Sequence, residues 1–294
     1  MIFPSANQLQ FIENVLGQCF GPQVDILDFQ FVHAGTHSLA ARISTDEGTH
    51  FLKWSEDLSV NRFESEAKGL DILRRTKTVD IAEVQGMGSL PEGHYLLLNY
   101  VQEANAKPLY WQHLGHQLAE MHGFSYKLHG LGHDNFIGQL PQYNEPMADG
   151  ISFFIEKRLK VQAGLALYEE RMSHEVYEKF LRFFDKLPSL IPNEKPALLH
   201  GDLWQGNVIV NAKGMPCLID PAVVYNLREA ELAFSRLFGV FGKEFYTAYQ
   251  EVFPLEAGFE ERKDIYNLYP LLVHLNLFGK SYLSAIEKTL NRFV

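Results

Sequence analysis

Polar side chains interrupt an apolar stretch in which residues 197–210 read ALLHGDLWQGNVIV. Three of them are His200, Asp202 and Asn207, and leucines precede them while Val208-Ile209-Val210 follows. An unpaired charge is costly to bury, so a carboxylate at the end of an apolar strand indicates a role beyond packing. The types of these residues suggest hydrogen bonding, proton transfer or metal binding.

The residues after Asn207 predict a hairpin whose second strand ends at Asp220, with a turn at 212–214. Because a hairpin brings its two ends together, we expect Asp220 to lie close to Asp202 and Asn207. Carboxylate and amide oxygens are the ligands that Mg²⁺ prefers, and a site with few protein ligands leaves positions for phosphate oxygens. The sequence therefore predicts a site for a metal and a phosphate compound.

The catalytic pattern of kinases is H-x-D, then four residues, then N, with a second Asp later in the chain. Here His200, Asp202, Asn207 and Asp220 have this spacing. In that pattern the first Asp accepts the proton of the substrate hydroxyl, whereas the Asn and the second Asp hold Mg²⁺. The alternative is a polar loop whose side chains only satisfy turn backbone groups. The complete set favours Asp202 as catalytic base and Asn207 and Asp220 as metal ligands.

A kinase also needs residues that bind ATP, and the N-terminal third offers candidates. Gly35 lies in a predicted turn between strands, which could cover the phosphates, although no G-x-G-x-x-G is present. Lys53 lies on a predicted strand among bulky apolar residues, so its ammonium needs a carboxylate partner. Glu66 flanks the apolar face of the following helix and is the predicted partner. Asn99 and Val101, at the end of a later strand, are predicted to bind adenine through their backbone groups.

The elements that must position these residues change in character along the chain. Helical periodicity predicts helices near residues 6–20 and 60–76, among segments with strand alternation. After Val101 helical patterns dominate, apart from the β segment at 197–220. The predicted fold class is α+β, a bilobal protein-kinase-like fold. Residues 1–102 form a small antiparallel β lobe with one inserted helix that covers the nucleotide, and residues 103–294 form a larger, mostly helical lobe for catalysis and substrate.

The bulk properties exclude several other classes of protein. The formal net charge of -10 argues against a nucleic-acid surface, which needs clustered cations. The chain carries only two cysteines, and it has neither a signal-peptide pattern nor an apolar run long enough to cross a bilayer. We therefore expect a cytoplasmic protein with no membrane partner. Its oligomeric state stays open.

Beyond the kinase pattern, the sequence resembles the fructosamine (ketosamine) kinase family, within the superfamily of aminoglycoside and choline kinase-like enzymes. The resemblance rests on LLHGDLWQGNV, IDPAVVY, REAELAFSRLFGVF and FESEAKGL, and it runs over nearly the whole chain. Trp204 is the residue that separates this family from most aminoglycoside kinases. Two departures are Ala34-Gly35 in place of paired glycines and Glu231 in place of a familiar Asp.

The resemblance implies transfer of phosphate from ATP, with Mg²⁺, to the sugar 3-hydroxyl of ketoamines, on free amines or on glycated proteins. Trp204 would form a wall for the sugar ring, although packing beneath the loop is an equal alternative. Arg228, Glu229 and Glu231 either line an amine pocket or, as we favour, support the next helix. The competing functions are a kinase of another amine alcohol, such as an aminoglycoside or choline, and a kinase-fold binding protein without turnover.

Overall fold

We describe a computed structural model of the chain, which covers residues 5–32, 39–239 and 241–294. The described residues fall into two compact units. The first lies within Met1–Ala106 and Ile209–Ile219, and the second within Lys107–Val208 and Asp220–Val294. The predicted hairpin therefore groups with the first unit, and the predicted division at residue 102 stays a prediction.

The first unit is built on a five-stranded antiparallel sheet with the order β1-β2-β3-β6-β5. A separate small sheet joins β10 and β11 of the hairpin to β4. The strands of the unit are β1 (Ile26–Val32), β2 (Leu39–Thr45), β3 (Gly48–Ser55), β4 (Asp80–Ile81), β5 (Val84–Leu90), β6 (Gly93–Asn99), β10 (Val208–Val210, which begins at the end of the second unit) and β11 (Pro216–Leu218). The antiparallel sheet agrees with the predicted fold class.

Helix α1 (Ala6–Phe20) covers the core of this sheet, as the periodicity predicts. It begins with a capping box in which Ser5 and Gln8 satisfy each other's backbone N–H groups. Its apolar face buries Phe11, Ile12, Val15 and Leu16 in one cluster with strand residues that include Leu52 and Trp54. This packing fixes β3, the strand that carries Lys53.

Helix α2 (Arg62–Thr76) follows β3 and is the inserted helix of the prediction. Asn61 caps it through the N–H of Glu64, and its buried face contains Phe63, Ala67, Leu70 and Leu73. Glu66 lies beside that face, so the helix presents this carboxylate at the boundary of buried and exposed surface.

The second unit is mostly helical and contains two small antiparallel ribbons, β7–β8 and β9–β12. A Cβ on Gly115 of α3 would lie 2.3 Å from the carbonyl oxygen of Phe245 on α8, so these two helix backbones pack closely. Its elements are α3 (Tyr110–His122), β7 (Asn135–Ile137), β8 (Leu140–Gln142), α4 (Gly150–Phe154), α5 (Lys160–Tyr168), α6 (His174–Leu190), β9 (Ala197–Leu199), β12 (Val224–Asn226), α7 (Arg228–Phe234), α8 (Lys243–Val252), α9 (Phe259–Phe278) and α10 (Leu283–Phe293).

One turn of π-helix, Ile155–Leu159, joins α4 to α5. Such a turn adds a residue to the helical ladder, and it is often found at functional sites. Here it carries Arg158, which is only 2% exposed.

None of the described helices is both long and apolar enough to cross a membrane. The cytoplasmic location stays a prediction.

The α1 interface yields the first testable prediction. Replacing Ile12 by Ala removes a fully buried side chain, so we expect the unfolding free energy to fall by about 2–5 kcal/mol. Leu9→Ala, on the exposed side of the same helix at 38% exposure, should cost less than about 1 kcal/mol. Urea unfolding measures both, and equal losses would contradict the packing described.

Candidate active site

The segment that carries the kinase pattern begins where β9 ends, at Leu199. Strand β12 pairs antiparallel with β9, and the N–H of Ala222 donates to the carbonyl oxygen of His200 at 2.8 Å. A short 3₁₀ turn, Gln205–Asn207, then leads into β10. The loop is thus held at both ends by strands. We call residues 200–207 the catalytic loop.

Asp202 and Asn207 contact each other directly, as the spacing predicts. The Nδ2 of Asn207 donates to the carboxylate of Asp202 at 2.9 Å and to its backbone oxygen at 2.8 Å. The amide nitrogen of Asn207 is therefore committed to Asp202. The amide oxygen of Asn207 is the atom left to act as a metal ligand.

The carboxyl group of Asp202 lies in an unusual electrostatic environment. Burial raises its pKa to about 7, and the charges of Asp220 and Glu231 act in the same direction, whereas the hydrogen bond from Asn207 opposes them. The influence of Asp220 places that carboxylate in the neighbourhood of Asp202, as the hairpin prediction requires. A carboxyl group with a pKa near neutrality can both accept and release a proton at physiological pH.

Asp220 follows β11 with a φ of 54°, in the left-handed region of backbone space. Asp enters this region more readily than most residues, and such conformations concentrate at functional sites. In the described part of the chain, no group of three or more His, Cys, Asp or Glu side chains has metal-binding geometry. As two oxygen ligands, Asn207 and Asp220 would supply only part of a Mg²⁺ coordination shell, which suits a site completed by phosphate oxygens.

Gly201 is required by the backbone at its position. It has a φ of +86°, and a Cβ there would lie 1.9 Å from the carbonyl oxygen of Ala222. Any side chain would collide with the strand that returns beside the loop. The Gly between His200 and Asp202 is thus a steric necessity in this fold.

Glu231 of α7 lies beneath the catalytic loop and is 3% exposed. Its Oε1 accepts the backbone N–H of Gly201 at 2.6 Å, and its Oε2 accepts that of His200 at 3.2 Å. Burial alone would raise the pKa of Glu231, but the hydrogen bond and charge of His122, with the N–H of Gly201, hold the pKa below its ordinary value. Glu231 therefore remains ionised and binds the backbone next to the proposed base.

A chain of buried polar side chains continues from Glu231 within the second unit. The Nε2 of His122 is 2.9 Å from Oε2 of Glu231, and its Nδ1 is 2.8 Å from the hydroxyl of Tyr249. The same hydroxyl is 3.4 Å from Arg228, which forms an ion pair with Glu194 at 2.8 Å. Helices α3, α7 and α8 are thereby joined to the catalytic loop.

Sequence reasoning missed the roles of Glu231 and His122 in supporting the loop. It assigned Arg228, Glu229 and Glu231 to helix support, and Glu229 indeed pairs with Arg262. All three charged side chains are buried, which requires partners elsewhere, but that burial is visible only in the structure. Nothing in the sequence singles out His122 as one of those partners.

A cavity in the second unit adjoins Asp202. Its polar lining includes Gln142, Arg158, Asn226 and Glu231, and its remaining lining is mostly apolar and aromatic, from β7, β9, β12, α4, α7 and α9. Arg158 donates to the carbonyl oxygen of Tyr143 at 2.9 Å and to Oδ1 of Asn144. The cavity offers both hydrogen-bonding groups and aromatic surface to a ligand whose reacting hydroxyl lies at Asp202.

Trp204 is 39% exposed, so it is not fully buried beneath the loop. Its indole covers Gly206, where a Cβ would lie 2.3 Å from the ring. The ring thus packs against the loop on one side and exposes its other part to a ligand, and the sugar-wall role stays a prediction.

The first unit contains the predicted ion pair between Lys53 and Glu66. The Nζ of Lys53 is 2.8 Å from Oε1 of Glu66, and Lys53 is 8% exposed. Glu66 thus supplies the carboxylate that this strand lysine requires. Gly35 lies outside the described residues.

The two predicted adenine-binding positions differ in their hydrogen bonding. The N–H of Asn99 donates to the carbonyl oxygen of Glu83 at 2.9 Å, and its side-chain oxygen accepts the N–H of Glu83. Val101 makes no backbone hydrogen bond with any residue that the structure describes. The backbone groups of Val101 are therefore the more available of the two for a nucleotide.

Comparisons with known proteins identify the family of the chain. Residues 8–294 match the family model described as fructosamine kinase. A protein of Enterococcus faecium named "Probable ketoamine kinase" is 39% identical over 86% of this chain and 90% of its own length. The chloroplastic protein-ribulosamine 3-kinase of Arabidopsis thaliana is 35% identical over 93% of this chain and 85% of its own.

Solved structures show the same fold. A crystal structure assigned as a fructosamine-3-kinase, from Haemophilus somnus, superposes with a TM-score of 0.87 at 28% identity and covers 96% of both chains. A spectinomycin phosphotransferase, solved with ADP and spectinomycin, gives a TM-score of 0.59 at 16% identity over 97% of this chain and 92% of its own. The latter likeness concerns the kinase-like fold alone.

The burial of Glu231 leads to a prediction about stability. Glu231→Gln removes the charge that three N–H groups surround, so we expect the unfolding free energy at pH 7 to fall by about 3 kcal/mol. Glu260→Gln weakens two surface ion pairs, with Arg236 and Lys263, in which the side chain of Glu260 is 58% exposed, and should change stability by less than about 1 kcal/mol. Urea unfolding distinguishes the two, and a Glu231 variant as stable as the control would refute the proposed support.

The raised pKa of Asp202 leads to a prediction about pH. A carboxyl group with a higher pKa in the folded than in the unfolded chain binds its proton more tightly when folded. Its contribution to stability is therefore present below about pH 4 and is lost as the pH rises towards 7. Without metal or ligand, Asp202→Asn should thus be more stable than the parent at pH 8, by on the order of 2 kcal/mol, and about equal at pH 4. Thermal unfolding between pH 4 and pH 8 tests this prediction, with Asp185→Asn, at an exposed position, as the control. A stability difference between Asp202→Asn and the parent that does not change with pH would contradict the raised pKa of Asp202.

Proposed function

Because the chain belongs to the fructosamine kinase family, we propose that it transfers the γ-phosphate of ATP to the 3-hydroxyl of the sugar part of a ketoamine. The relative named for its action on protein ribulosamines at the 3-position supports this choice of acceptor. The observation that carries the proposal is the contact between Asp202 and Asn207, with Asp220 nearby. Phosphorylated ketoamines decompose and release the amine, so the reaction leads to deglycation.

Asp202 is the proposed catalytic base. Its carboxylate accepts one hydrogen bond from Asn207, which fixes its orientation while the second oxygen can face the substrate hydroxyl. A pKa near 7 suits a group that must be ionised before transfer and hold the hydroxyl proton afterwards. Phosphoryl transfer requires little covalent participation from the protein, so orientation of the hydroxyl is the main contribution of Asp202.

Mg²⁺ is the proposed metal, and the amide oxygen of Asn207 and the carboxylate of Asp220 would hold it. Both are hard oxygen ligands, which this ion prefers, and neither Cys nor His is required. When bound with ATP, the ion would neutralise charge on the phosphates. The left-handed backbone at Asp220 directs its side chain out of the regular strand geometry that precedes it.

The first unit is the proposed ATP-binding unit. Lys53, held by Glu66, would contact the α- and β-phosphates, and the rigid ion pair removes the freedom of a long lysine side chain. The backbone of Val101, with the carbonyl group of Asn99, would bind adenine. Gly35 would cover the phosphates, and this role stays a prediction.

The sugar is proposed to enter the cavity beside Asp202, with the exposed face of Trp204 against one side of it. Aromatic faces bind the apolar faces of sugars while neighbouring polar groups pair with the hydroxyls. Asn226 and Gln142, which line the cavity, are suited to that pairing. Free ketoamines and ketoamines on protein amines both present the same sugar, so both are proposed substrates.

A substrate panel tests the function. We expect ATP-dependent phosphorylation of a fructosamine or a ribulosamine, with little or none of choline or kanamycin. Asp202→Asn should lower the rate by about 10²- to 10⁴-fold, because it removes the proton acceptor while retaining the shape of the loop. The exposed Asp185→Asn should leave the rate unchanged.

The outcomes of this panel are distinct. Transfer only to kanamycin or choline would overturn the ketoamine assignment while retaining the kinase chemistry. An Asp202→Asn variant with the parent rate would overturn the role of Asp202. Mass spectrometry of the product, with the phosphate located at the 3-position, completes the test.

A further inference from the structure

Five aromatic side chains of the second unit form a continuous group that begins at the cavity beside Asp202. Phe234 and His274 line that cavity, and the group continues to Phe278, which is 60% exposed. Successive rings are in contact, with centroid separations of 6.0 Å for Phe234–Phe238, 4.3 Å for Phe238–His274 and 5.3 Å for His274–Phe278. We call these residues the aromatic cluster: Phe234, Phe238, His274, Phe278 and Tyr282.

Helix α9 and the turn after it position the outer part of the cluster. His274 and Phe278 are four residues apart on α9, so their side chains share one face of the helix. The helix ends at Phe278 with Gly279 as its C-cap, and the following 3₁₀ turn, Lys280–Tyr282, places the ring centroid of Tyr282 5.2 Å from that of His274. The cluster therefore runs from the cavity to the surface as a continuous series of ring contacts.

His274 has a defined hydrogen-bonding direction within the cluster. Its Nδ1 lies 2.8 Å from the carbonyl oxygen of Pro270, and a carbonyl can only accept, so Nδ1 carries the proton. Burial lowers the pKa of His274, although the Pro270 hydrogen bond opposes it, so the ring is neutral at pH 7. Its Nε2 then has a free lone pair, and it makes no hydrogen bond with any residue that the structure describes.

A ketoamine carries a secondary amine only a few bonds from the hydroxyl that is phosphorylated, and this amine is protonated near neutral pH. An ammonium group is attracted to the faces of aromatic rings and can donate its N–H to a neutral imidazole. The carboxylates of Asp202 and Glu231 line the same cavity and favour a cation there. Arg158, the cation of the cavity lining, stacks on Phe153 and Tyr269, which lie outside the cluster.

We propose that the aromatic cluster is the amine subsite of this kinase, where Nε2 of His274 accepts the N–H of the ketoamine and the amine substituent crosses Phe278 towards solvent. The inference rests on the proposed function and extends it to the class of amine. Ketoamines of apolar or aromatic amines bind better than those of acidic amino acids, because an acidic substituent would lose hydration against the rings and would be repelled by the carboxylates of Asp202 and Glu231 in the adjoining cavity.

The test uses three ribulosamines that share one sugar and differ in the amine: phenethylamine, propylamine and aspartate. We expect KM to rise in that order. Phe278→Ala should raise KM for the phenethylamine compound by about tenfold and for the propylamine compound by less than about threefold, with kcat little changed, because the lost contact is to the substituent. Phe278→Tyr, which keeps the ring, should restore the parent KM.

His274 is tested by a separate variant. His274→Phe keeps an aromatic ring but removes the acceptor, so KM should rise by about tenfold for all three ribulosamines alike. Tyr168→Phe, on a side chain that is 82% exposed on α5, serves as the matched aromatic control and should change nothing. Thermal unfolding of each variant verifies that the fold is retained.

These measurements distinguish an error in the proposed amine subsite from an error in the proposed function. If the parent enzyme phosphorylates neither the three ribulosamines nor the fructosamines of the same amines, the proposed function is wrong. If the parent phosphorylates them but Phe278→Ala leaves the ratio of the KM values unchanged, the function stands and the amine subsite is wrong. Equal KM values for the phenethylamine and aspartate compounds in the parent would also overturn the subsite.

Discussion

Glu231 holds a carboxylate where almost no water reaches it, and its oxygens accept N–H groups from His200, Gly201 and His122. A buried charge is tolerated only when such donors surround it. The donors stabilise the buried carboxylate, and the carboxylate in turn fixes the positions of the backbone donors of the loop. The position of Asp202, the next residue along, follows from this constraint. The geometry of the proposed base therefore depends on a residue that does not itself react.

Two carboxyl groups that line one cavity have opposite environments. Donors hold the pKa of Glu231 below its ordinary value, whereas burial and neighbouring negative charges raise that of Asp202 to about 7. Two carboxyl groups whose pKa values differ in this way can have different functions in one site. The first remains ionised and supports the backbone, and the second can exchange a proton. The charge of Glu231 also contributes to the raised pKa of Asp202, so the support and the proton transfer are coupled.

The sequence predicts those site residues that are close together in the chain, or whose position on a helix follows from its apolar face. Asp202 and Asn207 are five residues apart, and Glu66 follows from the apolar face of α2. The antiparallel sheet and its inserted helix follow from the same periodicities. The contacts of Glu231 could not be predicted, because the donors from Gly201 and His122 are 30 and 109 residues away in the sequence. Neither the cavity nor the grouping of the hairpin with the first unit leaves a local pattern, since both arise from packing.

The same helices that support the chemistry also carry the proposed specificity. On α7, Glu231 and Phe234 are three residues apart, so one face of this helix presents both the support of the catalytic loop and the inner end of the aromatic cluster. The likeness to a spectinomycin phosphotransferase at 16% identity shows that the fold persists while most side chains change. Because Glu231 ties α7 to the catalytic loop, Phe234, one turn later, is held in a fixed position relative to that loop. A change of amine specificity is therefore expected to arise through the outer residues on α9 and in the turn after it, where substitution does not disturb the loop.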